Sequence, residues 1–330
     1  MPADRRSWVM NLPVAAVVWA VITSLAGFLG SGMGFGGWRF AVALGVAAVL
    51  FAFEWFLASL SAQQFLGEEL AGHGGLIAPT VPLAAVLIYS FAITGDARLA
   101  IAGATYVIVP TLLLTGSAGR PPGTWQDYAA AVVLWVPVQF HWIYKLFPYP
   151  APLTHTLAIV LALSTGVAAF VLSRRLEGVG YAVEWRPGFG LQFGLLFVVY
   201  AAIAVILGMR IGFLTFAPSL TRGPSILISV VGIAFFTAWP EEFLFRGILQ
   251  NLLARTFGSP WAGWVIASIV FGLSHLHHAP YPNWKYALMA TIAGLFYGFA
   301  WMRTRSLVPA ALVHAAVDIS WHILFRSAAS

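Results

Sequence analysis

Runs of about twenty apolar residues follow one another along this 330-residue chain with hardly a polar gap between them. Each run is near the roughly 20 residues that carry an α-helix across a bilayer. They fall near 9–29, 40–60, 76–94, 98–116, 128–145, 153–173, 189–208, 225–256, 261–279, 284–302 and 306–325. Period-2 alternation is absent, which argues against a β-barrel. The expected fold is therefore all-α, a polytopic transmembrane helical bundle of about eleven spans, within a range of 9–13.

Composition agrees. Charged residues are 8% of the chain, against about 25% in soluble domains, and 60% is hydrophobic. So few polar groups cannot build a water-facing surface, which excludes disordered, coiled-coil and disulfide-scaffold classes. There is no cysteine, so thiol catalysis, thiolate metal sites and disulfides are excluded too. The net charge of +6 points to membrane lipid as a partner, not to nucleic acid. Arg5 and Arg6 ahead of the first run read as an uncleaved signal anchor with a cytoplasmic N-terminus. Arg174, Arg175, Arg303 and Arg305 then fall on the cytoplasmic side, and Arg210, Arg222 and Lys285 on the other. The charged connector from Ser173 to Pro187 divides residues 1–185, helices of unknown role, from 186–330.

Two weak patterns have plain explanations. Gly32, Gly34 and Gly37 satisfy G-x-G-x-x-G, but between two membrane runs they read as an inter-helix loop and not as a nucleotide site. Glu68, Glu69 and His73 lie in a Gly-rich stretch that reads as a solvated turn before it reads as a metal site.

An ionisable group at mid-bilayer costs about 2.5–3.5 kcal/mol on insertion scales, so such groups are functional candidates by default. Most spans in the first half contain almost none. The C-terminal third gathers Glu241, Glu242, Arg246, His275, His314 and Asp318. Glu242 and Arg246 are four apart and share a helix face, while Glu241 is rotated by about 100°. His314 and Asp318 are likewise four apart. Glu241 lies 17 residues before Gly258, and His275 lies 15 after Pro260. If Gly258-Ser259-Pro260 turns a hairpin, both sit roughly 23–25 Å from it and meet at one level. Trp239-Pro240 predicts a kink or a fresh helix start just before the glutamates.

The residue types suggest chemistry. Adjacent carboxylates in a low-dielectric cavity repel, and a carboxylate so tuned is a useful general base near neutral pH. Arginine holds its neighbour ionised, and histidines can hold water, donate to a carbonyl or bind a metal. Each element has a plainer reading as well. Glu242–Arg246 could be a structural ion pair, His275 a polar anchor and His314–Asp318 a packing pair, with His277, His278 and His322 at span ends. The joint occurrence favours a peptide-hydrolysing site over a non-catalytic membrane protein such as a transporter.

Glu241-Glu242-Phe243-Leu244-Phe245-Arg246, Phe271-Gly272-Leu273-Ser274-His275 and His314-Ala315-Ala316-Val317-Asp318 fit E-E-x-x-x-R, F-x-x-x-H and H-x-x-x-N/D. In this order they resemble the CPBP intramembrane proteases, which include the CAAX prenyl-protein endopeptidases and bacteriocin-processing or self-immunity proteins. The resemblance covers about residues 186–325, and it adds a non-cleaving bacteriocin immunity factor as the other form of the non-catalytic alternative. It implies an intramembrane endopeptidase acting on a membrane-associated protein or peptide, seated as a multi-pass protein in the bacterial inner membrane. It implies that Glu241 activates water with help from His275. Glu242 and Arg246 would support that geometry, and His314 with residue 318 would polarise the scissile carbonyl. Asp318 departs from the asparagine form, since an ionised aspartate cannot donate a hydrogen bond. No cofactor is the preferred expectation, because the glutamates lack the H-E-x-x-H spacing. The alternative is Zn2+ held by His275, His314, Glu241 and Asp318.

Overall fold

The computed structural model describes residues 8–69, 75–218 and 223–327. Arg5, Arg6, His73 and Arg222 lie outside the described residues. The fold is all-α, apart from short strand pairings. Seven of the described helices are long and apolar enough to cross a membrane, and the protein is an integral membrane protein.

Two compact units divide the chain, one spanning Val9–Glu177 and the other comprising Trp8 together with the described residues from Gly178 on. The first unit runs α1 (Leu12–Gly32), α2 (Gly37–Phe56), α3 (Leu60–Glu69), α4 (Thr80–Thr94), α5 (Ala97–Thr115), α6 (Trp125–Gln139) and α7 (Ala151–Ser173). Gly34 and Gly37 take left-handed φ values of 85° and 73° in the connection between α1 and α2, the loop expected of that glycine pattern. Glu68 and Glu69 end a helix instead of lying in a loop.

α6 begins with a capping box, in which Thr124 caps the Asp127 amide and Asp127 returns bonds to the Thr124 and Gly123 amides. Arg174, just beyond α7, closes on the Asp127 carboxylate at 2.7 Å and on the Arg120 carbonyl at 3.0 Å. One buried carboxylate thus satisfies a helix start and anchors the end of another helix. Burial pushes the Asp127 carboxyl up, but the Arg174 guanidinium and the two amides outweigh it and hold it below the ordinary carboxylate value.

The second unit runs α8 (Phe189–Arg210), α9 (Ile226–Thr256), α10 (Pro260–Leu273), α11 (Trp284–Thr304) and α12 (Leu307–Leu324). A two-stranded antiparallel ribbon joins β1 (Leu214–Phe216) to β2 (Phe325–Ser327). Eleven spans are not reached on length and composition. α4, α6 and α10 stop after 10 to 15 residues of regular helix, too short at 1.5 Å per residue for a core of about 30 Å. α11 has 21 residues but carries Lys285 and Arg303 at its ends.

Pro240 does not start a helix. Trp239 keeps helical angles (φ −62°, ψ −49°), and α9 runs through it. The turns on either side, Ala234–Ala238 and Phe243–Gln250, widen into π-helix. A wider turn makes room for a ring that would otherwise crowd a carbonyl one turn back, and such bulges frequently accompany functional sites. The glutamates therefore lie mid-helix, with no free helix terminus beside them.

α10 and α11 approach through small residues. A Cβ on Gly272 would overlap Thr291 Oγ1, and one on Gly294 would meet the Ser268 backbone at 3.1 Å. Close backbone approach through glycine is how membrane helices gain van der Waals contact without a hydrophobic driving force. Here it brings the Phe271 and Tyr297 rings to 6.1 Å.

Candidate active site

Glu241 and Glu242 sit 15 and 16 residues into the 31 of α9. Their neighbouring positions give them opposite surroundings. The Glu242 side chain is fully buried, whereas that of Glu241 is 34% exposed, into a cavity. Arg246, one turn on, donates to Glu242 Oε1 at 3.1 Å and to the Gly294 carbonyl at 3.2 Å. Its guanidinium lies 4.5 Å from the Phe271 ring centroid and 5.3 Å from that of Tyr297. Two hydrogen bonds and two aromatic faces thus replace the water that a buried arginine gives up.

His314, from α12, is the third member of this cluster. Its Nδ1 lies 2.7 Å from Glu242 Oε1. A carboxylate already holding Arg246 only accepts, so Nδ1 carries the hydrogen. That leaves Nε2 for the cavity side, 3.4 Å from Asp318 Oδ2 and 3.8 Å from Glu241 Oε2. Glu242 is therefore the keystone between α9 and α12, and its Oε2 has no hydrogen-bond partner.

His275 stands on the 3-10 turn Ser274–His277 that ends α10, not within a regular helix. Its Nδ1 donates to the Phe271 carbonyl at 2.8 Å, which leaves Nε2 free of the backbone. It lines the same cavity as Glu241, as the hairpin arithmetic predicted, but no hydrogen bond joins the two. Its ring packs on Phe271 at 4.9 Å and on Tyr286 at 4.6 Å.

All six residues singled out in the sequence thus surround one space of about 250 Å³ in the second unit: four line it, with Glu242 and Arg246 directly behind them. The sequence reading missed the aromatic wall: Tyr200 on α8, Tyr286 and Tyr297 on α11, and Trp321 on α12. It also missed His278, which packs 4.9 Å from Tyr286 and lines the cavity, whereas His322 is exposed beside Ser229. The signal was tyrosine inside apolar runs, since a buried phenol usually has a polar task for its hydroxyl.

Of the residues proposed for zinc, His314 commits Nδ1 to Glu242 and keeps Nε2 on the cavity side, and among the described residues no three of His, Asp and Glu are grouped to hold a metal ion.

Residues 223–320 match a family model described as type II CAAX prenyl endopeptidase Rce1-like. The match takes in under a third of the chain, and it makes this stretch similar to that family. It contains all three motifs and every residue of the cluster, so the resemblance drawn from the motifs is borne out. Proteases of this type act in membranes on membrane-associated protein substrates. Neither the comparison with curated proteins nor that with solved structures finds a match.

Proposed function

We propose that the protein is an intramembrane endopeptidase that hydrolyses a peptide bond of a membrane-associated protein or peptide, using water activated by Glu241. The observation that carries this is the unequal fate of the paired carboxylates. Glu242 is locked to Arg246 and His314 in the interior, while Glu241 is left open to a cavity that a substrate and water can share.

In this reading Glu241 takes a proton from water as the oxygen attacks the scissile carbonyl carbon. His314 donates from Nε2 to the developing oxyanion, while its Nδ1 stays fixed on Glu242. Glu241 then returns the proton to the leaving amine as the C–N bond breaks. His275 offers Nε2 to position the water. Asp318 lies 3.4 Å from His314 Nε2, beside the place where the oxyanion forms. In this reading the groups that act are protein side chains and water, with no metal among them.

The same reading makes residues 186–330 the protease core and 1–185 accessory membrane helices. A helical bundle suits the bacterial inner membrane, where the outer membrane takes barrels. The aromatic and aliphatic walls suit an apolar stretch of substrate. The test is to compare membrane peptides from cells making wild type or Glu241→Gln. Peptides that accumulate only with wild type support the reading, and indistinguishable profiles at equal protein level refute it.

A further inference from the structure

Resting on that reading, we infer that Tyr297 is a positioning residue for His314, the part that fixes which histidine nitrogen faces the cavity. Tyr297 belongs to none of the three motifs. It lies on α11, a helix that supplies no ionisable member of the cluster, and it is 1% exposed. Its ring stacks on the His314 imidazole with centroids 4.5 Å apart and planes within 14°. The same ring stands 5.3 Å from the Arg246 guanidinium. Tyr297 therefore touches both partners of Glu242 at once.

The consequence is geometric. An imidazole hydrogen-bonded at one nitrogen can still swing about that bond. Phe271 meets its edge at 83°, which limits motion from one side. A parallel ring at 4.5 Å removes the remaining freedom and holds the imidazole plane. With the plane set, Nδ1 stays on Glu242 and Nε2 stays between Glu241 and Asp318. The close approach that seats Tyr297 is made by its neighbours Gly294 and Gly298, where a Cβ would strike Ser268, Gln250 and Trp264.

The face of the ring, not the hydroxyl, does this, so the substitutions separate cleanly. In purified full-length protein, Tyr297→Phe should retain kcat within threefold. Tyr297→Leu, or Tyr297→Met if leucine unfolds the protein, should lower kcat at least tenfold with KM within twofold and move the pH profile of kcat. Nitrogen-15 spectra of histidine-labelled protein supply a readout independent of turnover. Wild type and Tyr297→Phe should show the His314 signal of a hydrogen-bonded Nδ1–H, assigned by its loss in His314→Gln, and Tyr297→Leu should replace it with an averaged signal. Wild-type kcat and an unchanged His314 signal in the leucine variant would overturn the inference. An active Glu241→Gln would instead overturn the protease reading, and the spectra would still decide what Tyr297 does.

Discussion

The two units handle buried charge in opposite ways. In the first, Asp127 and Arg174 meet where two helices end, and the carboxylate also serves the amides that a helix start leaves open. In the second, Glu242, Arg246 and His314 meet in the middle of helices, away from any helix end. The first arrangement solves a problem the backbone creates. The second solves none, since apolar side chains would pack α9 against α11 and α12 at least as well. Charge kept at such a cost points to chemistry, and the open carboxylate of Glu241 beside it says where.

The comparison predicts unequal consequences of deletion. Arg246→Ala strands Glu242 in the interior and should destabilise the second unit by about 3–5 kcal/mol, with loss of activity. Thermal unfolding in detergent reads this directly, and an unchanged midpoint would mean the pair adds nothing. Asp318→Asn should spare the fold and keep or raise activity, because the amide adds a donor. One oxyanion donor is worth about 2.7–4 kcal/mol of barrier in a well-studied protease. Activity that falls in this variant, is abolished by a strong chelator in wild type and returns with zinc would instead establish metal chemistry.

Arg174→Ala should cost less, about 1–3 kcal/mol, because the Thr124 and Gly123 amides still hold Asp127. A loss equal to that of Arg246→Ala would erase the distinction drawn between the units. The smallest effect concerns pH. The folded Asp127 pKa lies below its unfolded value, so its contribution is complete above about pH 4 and drains away as pH falls through the folded pKa. Wild type should therefore lose unfolding temperature on acidification faster than Asp127→Asn in that window, and parallel curves would contradict the assignment.

Much of the second unit was legible in the sequence because its signals are local. The i,i+4 spacing placed Arg246 on Glu242, and counting from Gly258 put Glu241 and His275 on one cavity. Pro240 left a kink or a fresh start open, and the fresh start is excluded because helical turns run on through Trp239, with π-turns on either side that leave no mark on spacing. His314 reaching Glu242 across 72 positions, and Tyr297 stacking on it, are products of helix packing with no periodic signature. In the first unit Glu54 passed unnoticed as a lone acid at the end of an apolar run. It is 2% exposed on α2, with Ser164 Oγ 3.5 Å from its carboxylate.

The central claim is that Glu241 activates water in a site held by its buried neighbours. It is tested most directly in 18O-labelled water, with a peptide whose release depends on the protein and with purified wild type and Glu241→Gln in liposomes. Wild type should place one 18O atom in the new carboxyl terminus. Glu241→Gln should lose at least a hundredfold in rate while unfolding at the same temperature, the least expected when a general base is removed. Labelled product from Glu241→Gln within twofold of the wild-type rate would contradict the account.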